Sequence, residues 1–449
     1  MAPQVVSTLA LCVGTAALSA FTFGFHLGEV NQPREAMSNC VTPDYSTSSL
    51  PDCISMDDWA WGTFVSIFLL GGTLGGLSGG SLVASLGRRR VLFLNNIPFL
   101  LSSFLLATSA TTTGLYLGRF IGGVAAGLGT VAVPLYIAEV APVDIRGSLG
   151  ALNQLAIVTG ILFSQRWLSA NGLTADARKA LMRLRSDSGA SDSQIEDELE
   201  AIVDSSGGAA TVQSIDAEGG LMDRTTEDAP LTNASTNQRT VSISELFTIS
   251  SLRRPLLACF GLQITQQFSG INAAVFYSTT IFNQTYSPEV AVQLSLLISV
   301  MNLFMTVVSL SLIEKLGRRI LLLTSELGMM GCGFLIYVAV KLDIPSLIVV
   351  ALMGFVGFFG VGLGAIPWLI LPELIPGYAV NAAVSVCSGL NWAASWTVAF
   401  FLPVVIGYLG YDVFLVFGIM LAGFAVFTSK YVPETKGMSP EEVARVNQF

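Results

Sequence analysis

The chain has 449 residues, of which 52% are hydrophobic and only 12% are charged, and its formal net charge is −9. These values exclude an ordinary soluble domain and indicate a polytopic helical membrane protein. The negative charge does not identify a ligand, because much of it falls in one polar loop.

Apolar runs, each near the length that a helix needs to cross a bilayer, follow one another along the chain. Five precede a polar loop and six follow it, which predicts about eleven spans. The first run lacks a preceding basic segment, so we interpret it as a retained span rather than a cleaved signal. The predicted helices are 5–28, 59–85, 91–110, 114–138, 148–165, 255–282, 289–313, 320–340, 346–375, 380–408 and 411–432.

The polar loop begins with a short basic amphipathic segment at residues 176–185 and continues as an acidic stretch rich in Ser and Gly. Such a composition predicts a disordered, solvated linker, and protein partners of this loop are unknown. The predicted division of the chain is therefore an N-terminal bundle of five spans at 1–165, a cytoplasmic central loop at 166–254, a C-terminal six-helix bundle at 255–432 and a cytoplasmic tail at 433–449.

Two turns carry the same basic pattern, Ser85-Leu-Gly-Arg-Arg-Arg90 and Lys315-Leu-Gly-Arg-Arg319. Each follows the second span of its half, which indicates a duplicated bundle with both turns on the cytoplasmic side. Further charged residues stand at the ends of spans. They either anchor the helices at the membrane interface or form a cytoplasmic latch of arginine–carboxylate pairs between the halves.

Amide side chains form a row in the span at 255–282. Gln263, Gln266, Gln267 and Gly270 fall on one helix face, and Asn272 follows a Ser-Gly pair where a helix can loosen. Amides in hydrocarbon need partners or water. The row therefore indicates either hydrogen bonding between helices or a polar cavity for a ligand rich in hydroxyl groups, and we favour the cavity.

Cysteines, a glycosylation sequon and the lack of catalytic motifs are three further features of the sequence. Cys40 and Cys53 flank a short polar loop and either form a disulfide or remain free thiols. Asn283 begins a glycosylation sequon between two spans, which is either occupied or not. The six Cys and one His lack metal-ligand spacing and no nucleotide-binding loop is visible, so we predict no enzyme, cofactor, metal site or nucleic-acid partner.

Several motifs resemble those of the sugar-porter branch of the major facilitator superfamily, especially its facilitative glucose transporters. The resemblance covers nearly all of the chain outside the acidic loop. It implies an all-α fold of two pseudo-symmetric helical bundles, a central sugar site and alternating access. The matching stretches are Gly118-Arg-Phe-Ile-Gly-Gly, Pro134-Leu-Tyr-Ile-Ala-Glu-Val-Ala-Pro142, Arg146-Gly, Asn153-Gln154-Leu, Gln263 to Tyr277, Glu314-Lys-Leu-Gly-Arg-Arg319, Pro367-Trp368, Asn391-Trp392 and Pro433-Glu-Thr-Lys-Gly437.

The resemblance also implies roles for individual residues. The sugar site is expected to contain Gln154, Gln266, Gln267, Asn272, Asn302, Trp368 and Asn391. The cytoplasmic latch is expected to contain Arg119, Glu139, Arg146, Glu314, Arg318, Arg319 and Glu373. Amides can bond sugar hydroxyls at two points, and an indole offers an apolar face and one donor.

The chain departs from the family pattern at three places. The sixth span is missing, since Gln165 is followed at once by Arg166-Trp-Leu168, and we interpret this gap as a splice form or gene-prediction error rather than a genuine eleven-span transporter. Gly360-Val-Gly-Leu-Gly-Ala-Ile-Pro367 replaces a run that usually carries a glutamate. Val380 replaces a usual latch arginine, which predicts that Glu373 lacks that partner.

His26 is the only histidine and lies in the first span, where proton-coupled relatives place an aspartate and facilitative ones an asparagine. With Glu29, it either couples transport to pH or is a neutral side chain bonded to a neighbouring helix. Fungal glucose-transporter-like proteins are similar here, so the predicted location is the plasma membrane or a vacuolar or other endomembrane.

The sequence is compatible with three functions. The leading one is facilitative uniport of a monosaccharide, a hexose, through the lipid bilayer. The second is proton-coupled sugar symport using His26 and Glu29. The third is a non-transporting sensor or sorting protein, or an inactive isoform.

Overall fold

The structure is a computed structural model, and it describes residues 3–30, 54–141, 149–166, 241–283, 286–438, 442–443 and 445. Every regular element within these ranges is a helix. The helices belong to one packed unit, Met1–Ser169 with Thr240–Phe449. Most of the predicted central loop, Cys40, Cys53 and Arg146 lie outside the described residues.

The first half contains six helices whose bounds agree with the predicted spans to within a few residues. Side-chain caps begin two of them: Asp57 accepts from the N–H of Ala60 at 2.7 Å, and Thr111 accepts from the N–H of Gly114 at 3.2 Å. The helices are α1 (Pro3–Gly28), α2 (Asp58–Leu86), α3 (Arg88–Leu94), α4 (Asn96–Thr108), α5 (Thr112–Val140) and α6 (149–166).

The second half begins with a helix that sequence analysis missed, and a capping box between Ser242 and Glu245 starts it. The longer helices that follow correspond to the predicted spans. The helices of the second half are α7 (Ile243–Leu246), α8 (Arg253–Phe268), α9 (Ile271–Asn283), α10 (Pro288–Leu316), α11 (Arg318–Lys341), α12 (Pro345–Val361), α13 (Ile366–Leu369), α14 (Leu371–Leu374), α15 (Val380–Leu409) and α16 (Val413–Tyr431).

Eight segments in the described ranges are long and apolar enough to cross a membrane. The other predicted spans are helical as well, but α6 and α15 carry several polar residues, and α8 and α9 are separated by a break. The chain is therefore an integral multi-pass membrane protein, as predicted.

The predicted span at 91–110 is interrupted only at Asn95, between α3 and α4, whereas two other predicted spans are broken more strongly. The span at 255–282 divides at Ser269 and Gly270, whose φ of +92° suits glycine, so the predicted loosening at this pair is confirmed. The span at 346–375 divides after Val361, and the chain continues through a turn into α13 and α14. The second break leaves the carbonyl oxygens of Leu363 and Gly364 available to a side chain of another helix, whereas a continuous helix would have used them internally.

The two basic turns have the same backbone conformation. Gly87, between α2 and α3, has a φ of +82°, and Gly317, between α10 and α11, has a φ of +89°. Only glycine adopts this region without strain, so each turn needs its Gly before the arginines. The shared geometry at corresponding places agrees with a duplicated bundle.

Helix α2 packs on α5 within its own half and on α15 across the two halves. A methyl group at Gly127 on α5 would overlap the carbonyl oxygen of Gly72 on α2. Small residues permit this approach, as is usual in membrane bundles. Across the halves, the N–H of Gly80 donates to the hydroxyl of Ser385 at 2.6 Å.

Candidate functional site

A cavity lies between the two halves of the chain. Helices α1, α2, α5 and α6 contribute to its wall from the first half, and α8, α9, α10, α12, α13 and α15 from the second. All seven residues predicted for the sugar site line it: Gln154, Gln266, Gln267, Asn272, Asn302, Trp368 and Asn391.

Asn391 on α15 is the centre of an amide network. Its Nδ2 donates to the Oε1 atoms of Gln263 and Gln266, each at 2.8 Å, and its Oδ1 accepts from Gln267 Nε2 at 2.9 Å. Gln267 Oε1 in turn accepts from Asn272 Nδ2 at 3.0 Å. The network orients the amides before any ligand binds, which lowers the entropy that binding would cost.

The broken helices supply the partners that hold two of these glutamines. Gln266 Nε2 donates to the carbonyl oxygens of Leu363 at 2.6 Å and Gly364 at 3.1 Å, both in the turn between α12 and α13. Gln263 Nε2 donates to the carbonyl oxygen of Pro367 at 3.1 Å. Gln263 is fully buried and does not line the cavity. Of the two roles considered for the amide row, Gln263 therefore has the role of a hydrogen bond between helices.

Asn302 on α10 keeps an unused hydrogen-bond acceptor. Its Oδ1 is buried and has no hydrogen-bond partner among the described residues. A buried amide oxygen without a partner is costly, and the residue lines the same cavity as the network of Asn391. A hydroxyl donor from a ligand would satisfy this oxygen.

Sequence reasoning missed several side chains in the same wall. Asn153, Thr130 and Ser395 add polar groups, while Phe23, Phe359 and Trp392 add aromatic surface. Trp392 lies flat against Gly72, and its indole N–H donates to the hydroxyl of Thr130 at 3.1 Å. Asn153 and Trp392 stand in the matched motifs Asn153-Gln154 and Asn391-Trp392. Each is the sequence neighbour of a predicted site residue, and this position is the signal by which the sequence could have identified it.

A second cluster joins α10, α11 and α14 at the end that carries the basic turns. Arg318 makes two hydrogen bonds to the Glu373 carboxylate, at 2.9 and 3.2 Å, and approaches Glu314 at 3.4 Å. Burial raises the pKa of Glu373, and the charge of Arg318 opposes that increase. The structure thus brings Arg318, Glu314 and Glu373 together. Glu373 has a cationic partner in Arg318, although Val380 replaces the usual latch arginine.

Glu434 completes this cluster, although the sequence assigned it no role. Its carboxylate accepts from the backbone N–H groups of Arg318 at 2.9 Å and Arg319 at 3.0 Å, which are the first two residues of α11. A carboxylate there offsets the helix dipole and satisfies two free donors. The Arg319 side chain donates to the carbonyl oxygen of Ser429.

The first half contributes Arg88 to the contact between the halves. Its guanidinium pairs with Glu139 at 2.6 Å and donates to Asn381 Oδ1 on α15 at 3.4 Å. Glu139 therefore has a partner that sequence analysis did not assign to the latch. The matched position in the second half, Arg318, bonds only within its own half among the described residues.

The assignment of Arg119 to the cytoplasmic latch is corrected by its position. Arg119 lies at the start of α5, near the beginning of α2, where Tyr116 donates to the carbonyl oxygen of Ala60 at 3.0 Å. Arg88 follows the other end of α2, so the two arginines lie at opposite ends of the bundle. Sequence position alone did not distinguish these ends.

Arg119 is instead paired with the residues predicted for proton coupling. Its Nη1 lies 2.7 Å from Glu29 Oε1 and 2.7 Å from the carbonyl oxygen of His26, and its guanidinium lies 4.4 Å from the ring centre of Phe68. His26 Nδ1 lies 3.0 Å from the same Glu29 oxygen. Burial would raise the pKa of Glu29, but His26 and Arg119 together lower it.

Asn283 is the last residue of α9, and its sequon partner Thr285 lies outside the described residues. Occupancy of this sequon stays a prediction. Four cysteines in the described ranges are free thiols: Cys12, Cys259, Cys332 and Cys387.

Comparison with known proteins shows what this arrangement is similar to. The profile of the family described as "Sugar (and other) transporter" matches residues 11–166 and 164–446. The human solute carrier family 2, facilitated glucose transporter member 4 is 33% identical over 98% of this chain and 91% of its own length. A probable metabolite transport protein of Saccharomyces cerevisiae is 31% identical over 97% of this chain and 94% of its own.

Solved structures give the same fold. The proton:xylose symporter XylE of the major facilitator superfamily, bound to 6-bromo-6-deoxy-D-glucose, superposes with a TM-score of 0.69 at 21% identity and covers 97% of this chain and 99% of its own. The inward-open xylose transporter XylE from E. coli superposes with a TM-score of 0.64 at 22% identity, over 98% and 99% of the two chains. The predicted major facilitator fold is confirmed.

Proposed function

The chain belongs to the sugar transporter family, and we propose that it carries a hexose across a membrane by facilitative transport with alternating access. The observation that carries this proposal is the ring of amide side chains from both halves around one cavity. Amides donate and accept hydrogen bonds, as sugar hydroxyls do, so each can bond at two points. The aromatic rings of Trp368 and Phe359 offer apolar faces for the carbon–hydrogen side of a sugar.

The relatives also support a monosaccharide. The relatives named as facilitated glucose transporters cover almost the whole chain, which favours a hexose over other sugars.

We infer that residues 1–165 and 255–432 move against each other around this cavity. The cluster of Arg318, Glu314, Glu373 and Glu434, together with Arg88 and Glu139, holds the end that the positive-inside rule predicts to be cytoplasmic. Opening that end separates Arg88 from Asn381 and Gly80 from Ser385, which are contacts across the halves.

The test is uptake of labelled glucose into liposomes that contain the purified full chain. We expect saturable uptake that unlabelled hexose inhibits and that stops when the concentrations on both sides are equal. Asn302→Leu should weaken transport, because it removes the unpaired acceptor in the cavity wall. Thr324→Ala is the matched control, since Thr324 is exposed on α11 and donates only within its own helix.

Absence of saturable uptake by the wild-type chain would overturn this proposal and favour the sensor or inactive isoform. Proton symport is the second candidate, and the buried cluster of His26, Glu29 and Arg119 favours it. A proton gradient would then drive labelled glucose to accumulate above its outside concentration, and Glu29→Gln would abolish accumulation while exchange continued.

A further inference from the structure

A buried acid lies in the second half, away from the cavity. Glu326 on α11 is 0% exposed. Its Oε1 accepts one hydrogen bond, from the hydroxyl of Thr428 on α16 at 2.7 Å. Its Oε2 is buried without a hydrogen-bond partner among the described residues. The proposed transport mechanism makes no use of this group.

No cation in the described ranges compensates Glu326. Helix α12, which packs on α11, has no ionisable residue. Arg319 is seven residues away on α11, about 10 Å along the axis, and its guanidinium bonds Ser429. The other ionisable groups on α11 and on the elements packed against it lie toward the two helix ends, apart from the thiol of Cys332: Glu289, Glu314, Lys315, Arg318, Tyr337, Lys341, Tyr411, Asp412, Lys430, Tyr431 and Glu434.

An ionised carboxylate is very costly in such surroundings. A protonated carboxyl group is neutral, and it needs only an acceptor for its O–H and a donor for its carbonyl oxygen. Intramembrane acids that lack a cation are therefore candidates for proton binding. We propose that Glu326 is a proton-binding site in the wall of the second half, and that the proton bound there controls the geometry of the sugar site.

The neighbouring residue links this site to the break between α12 and α13. Ser325 Oγ accepts from the backbone N–H of Leu363 at 3.2 Å. The carbonyl oxygen of the same Leu363 accepts from Gln266 Nε2 at 2.6 Å. A methyl group at Gly362 would lie 2.8 Å from the Cβ of Ser325, so α11 and the break are in close contact.

Loss of the proton places an unpaired negative charge between α11 and α16, which favours their separation or the entry of water. Because Ser325 moves with α11, the hydrogen bond to Leu363 changes, and Gln266 loses its fixed position. The regular helical ladder is interrupted at the break, where the N–H groups of Gly362 and Gly364 both donate to the carbonyl oxygen of Phe359, at 3.3 and 2.9 Å. The break is therefore the element that we expect to take a second arrangement. This second part of the inference rests on the proposed sugar site.

Infrared difference spectroscopy of the lipid-reconstituted full chain tests the proton site directly. We expect the carbonyl band of a neutral carboxyl group that disappears as the pH is raised from about 5 to about 9. Glu326→Gln should remove this band, and it keeps an oxygen that can accept from Thr428. Glu289→Gln, at an exposed position at the start of α10, should leave the band intact. A spectrum without a Glu326-dependent band would overturn the proposal.

Tryptophan emission measures the coupling without any substrate. Trp368 lies in α13, just after the break. We expect a pH-dependent emission change in the wild type that is lost in Glu326→Gln and in Trp368→Phe, but retained in His26→Asn. An emission change that persists in Glu326→Gln contradicts the coupling.

Transport connects the inference to the proposed function. With equal pH on both sides, wild-type glucose uptake should change by about 2- to 30-fold between the two protonation states of Glu326. Glu326→Gln should transport at the low-pH rate at every pH. If the wild type carries no hexose, the proposed function fails, whereas the infrared band and the emission change still decide the inference.

Discussion

Arg318 holds the Glu373 carboxylate by two hydrogen bonds, at 2.9 and 3.2 Å, although the two residues are 55 positions apart in the chain. The pair connects the start of α11 to α14, which follows the broken helix of the sugar site. Because the pair is largely buried, its geometry matters more than that of a surface ion pair.

Arg318→Gln should destabilise the protein strongly, by about 3–5 kcal/mol, because it leaves the Glu373 carboxylate buried without its cation. Burial raises the pKa of Glu373, so its stabilising contribution is complete below the unfolded pKa of about 4.3 and is lost as the pH rises through the folded pKa. Without Arg318, ionisation of Glu373 at high pH costs more folding stability, because no cation offsets the buried charge. The fall in melting temperature should therefore be larger at about pH 8 than at about pH 5.

Lys341→Gln is the matched control for this measurement. It breaks an exposed pair with Asp412 at 3.0 Å, so the melting temperature should change little at either pH. A deficit of Arg318→Gln that is equal at both pH values would contradict the assigned role of Glu373.

Asn391→Leu should lower hexose affinity by about 5- to 150-fold, because the loss of one amide leaves a buried sugar hydroxyl unsatisfied, at about 1–3 kcal/mol, and the glutamines that Asn391 orients lose their partner. The lost partners are those of Gln263, Gln266 and Gln267. Equilibrium exchange of labelled glucose measures this loss. Ser395→Ala, which removes only a 3.3 Å contact with Asn272, should have a much smaller effect.

The sugar-site residues could be found from the sequence because each stands in a motif of fixed spacing. The resemblance placed Gln154 and Asn391, which lie far apart in the chain, in one site, and the structure brings both to one cavity. Residue chemistry alone would have predicted only the row on α8. Even there, Gln263 and Gln266 share a face and both accept from Asn391, but their Nε2 atoms donate to different carbonyl oxygens at and beyond the break after α12, which no periodicity reveals.

Charged residues were harder to place than amides. Arg119 and Glu139 lie toward opposite ends of the same helix, so the membrane topology separates them, but their partners depend on tertiary contacts. Arg119 forms an ion pair with Glu29 near the end of α1, and Glu139 forms one with Arg88. Pairing of this kind follows from helix packing and not from the spacing of charges along the chain.

Arg119→Met and Glu29→Gln should each destabilise the chain more than the double variant does, because each single change leaves one buried polar group without its partner. A double-mutant cycle on melting temperatures measures the coupling. We expect a coupling energy of about 1–3 kcal/mol, the upper part of the range for contacting residues. Additive single effects would show that the pair contributes nothing beyond packing.

Gly127→Ala should weaken the contact between α2 and α5, because its methyl group would overlap the carbonyl oxygen of Gly72 and force the helices apart. Overpacking of this kind costs about 1–3 kcal/mol, and α2 also carries the contacts with α15 across the halves. Both the melting temperature and glucose uptake should therefore fall. Gly423→Ala is the matched control: its methyl group meets nothing within 4 Å, and alanine favours a helix by up to about 1 kcal/mol over glycine. Equal behaviour of the two variants would show that the close approach at Gly127 is not required.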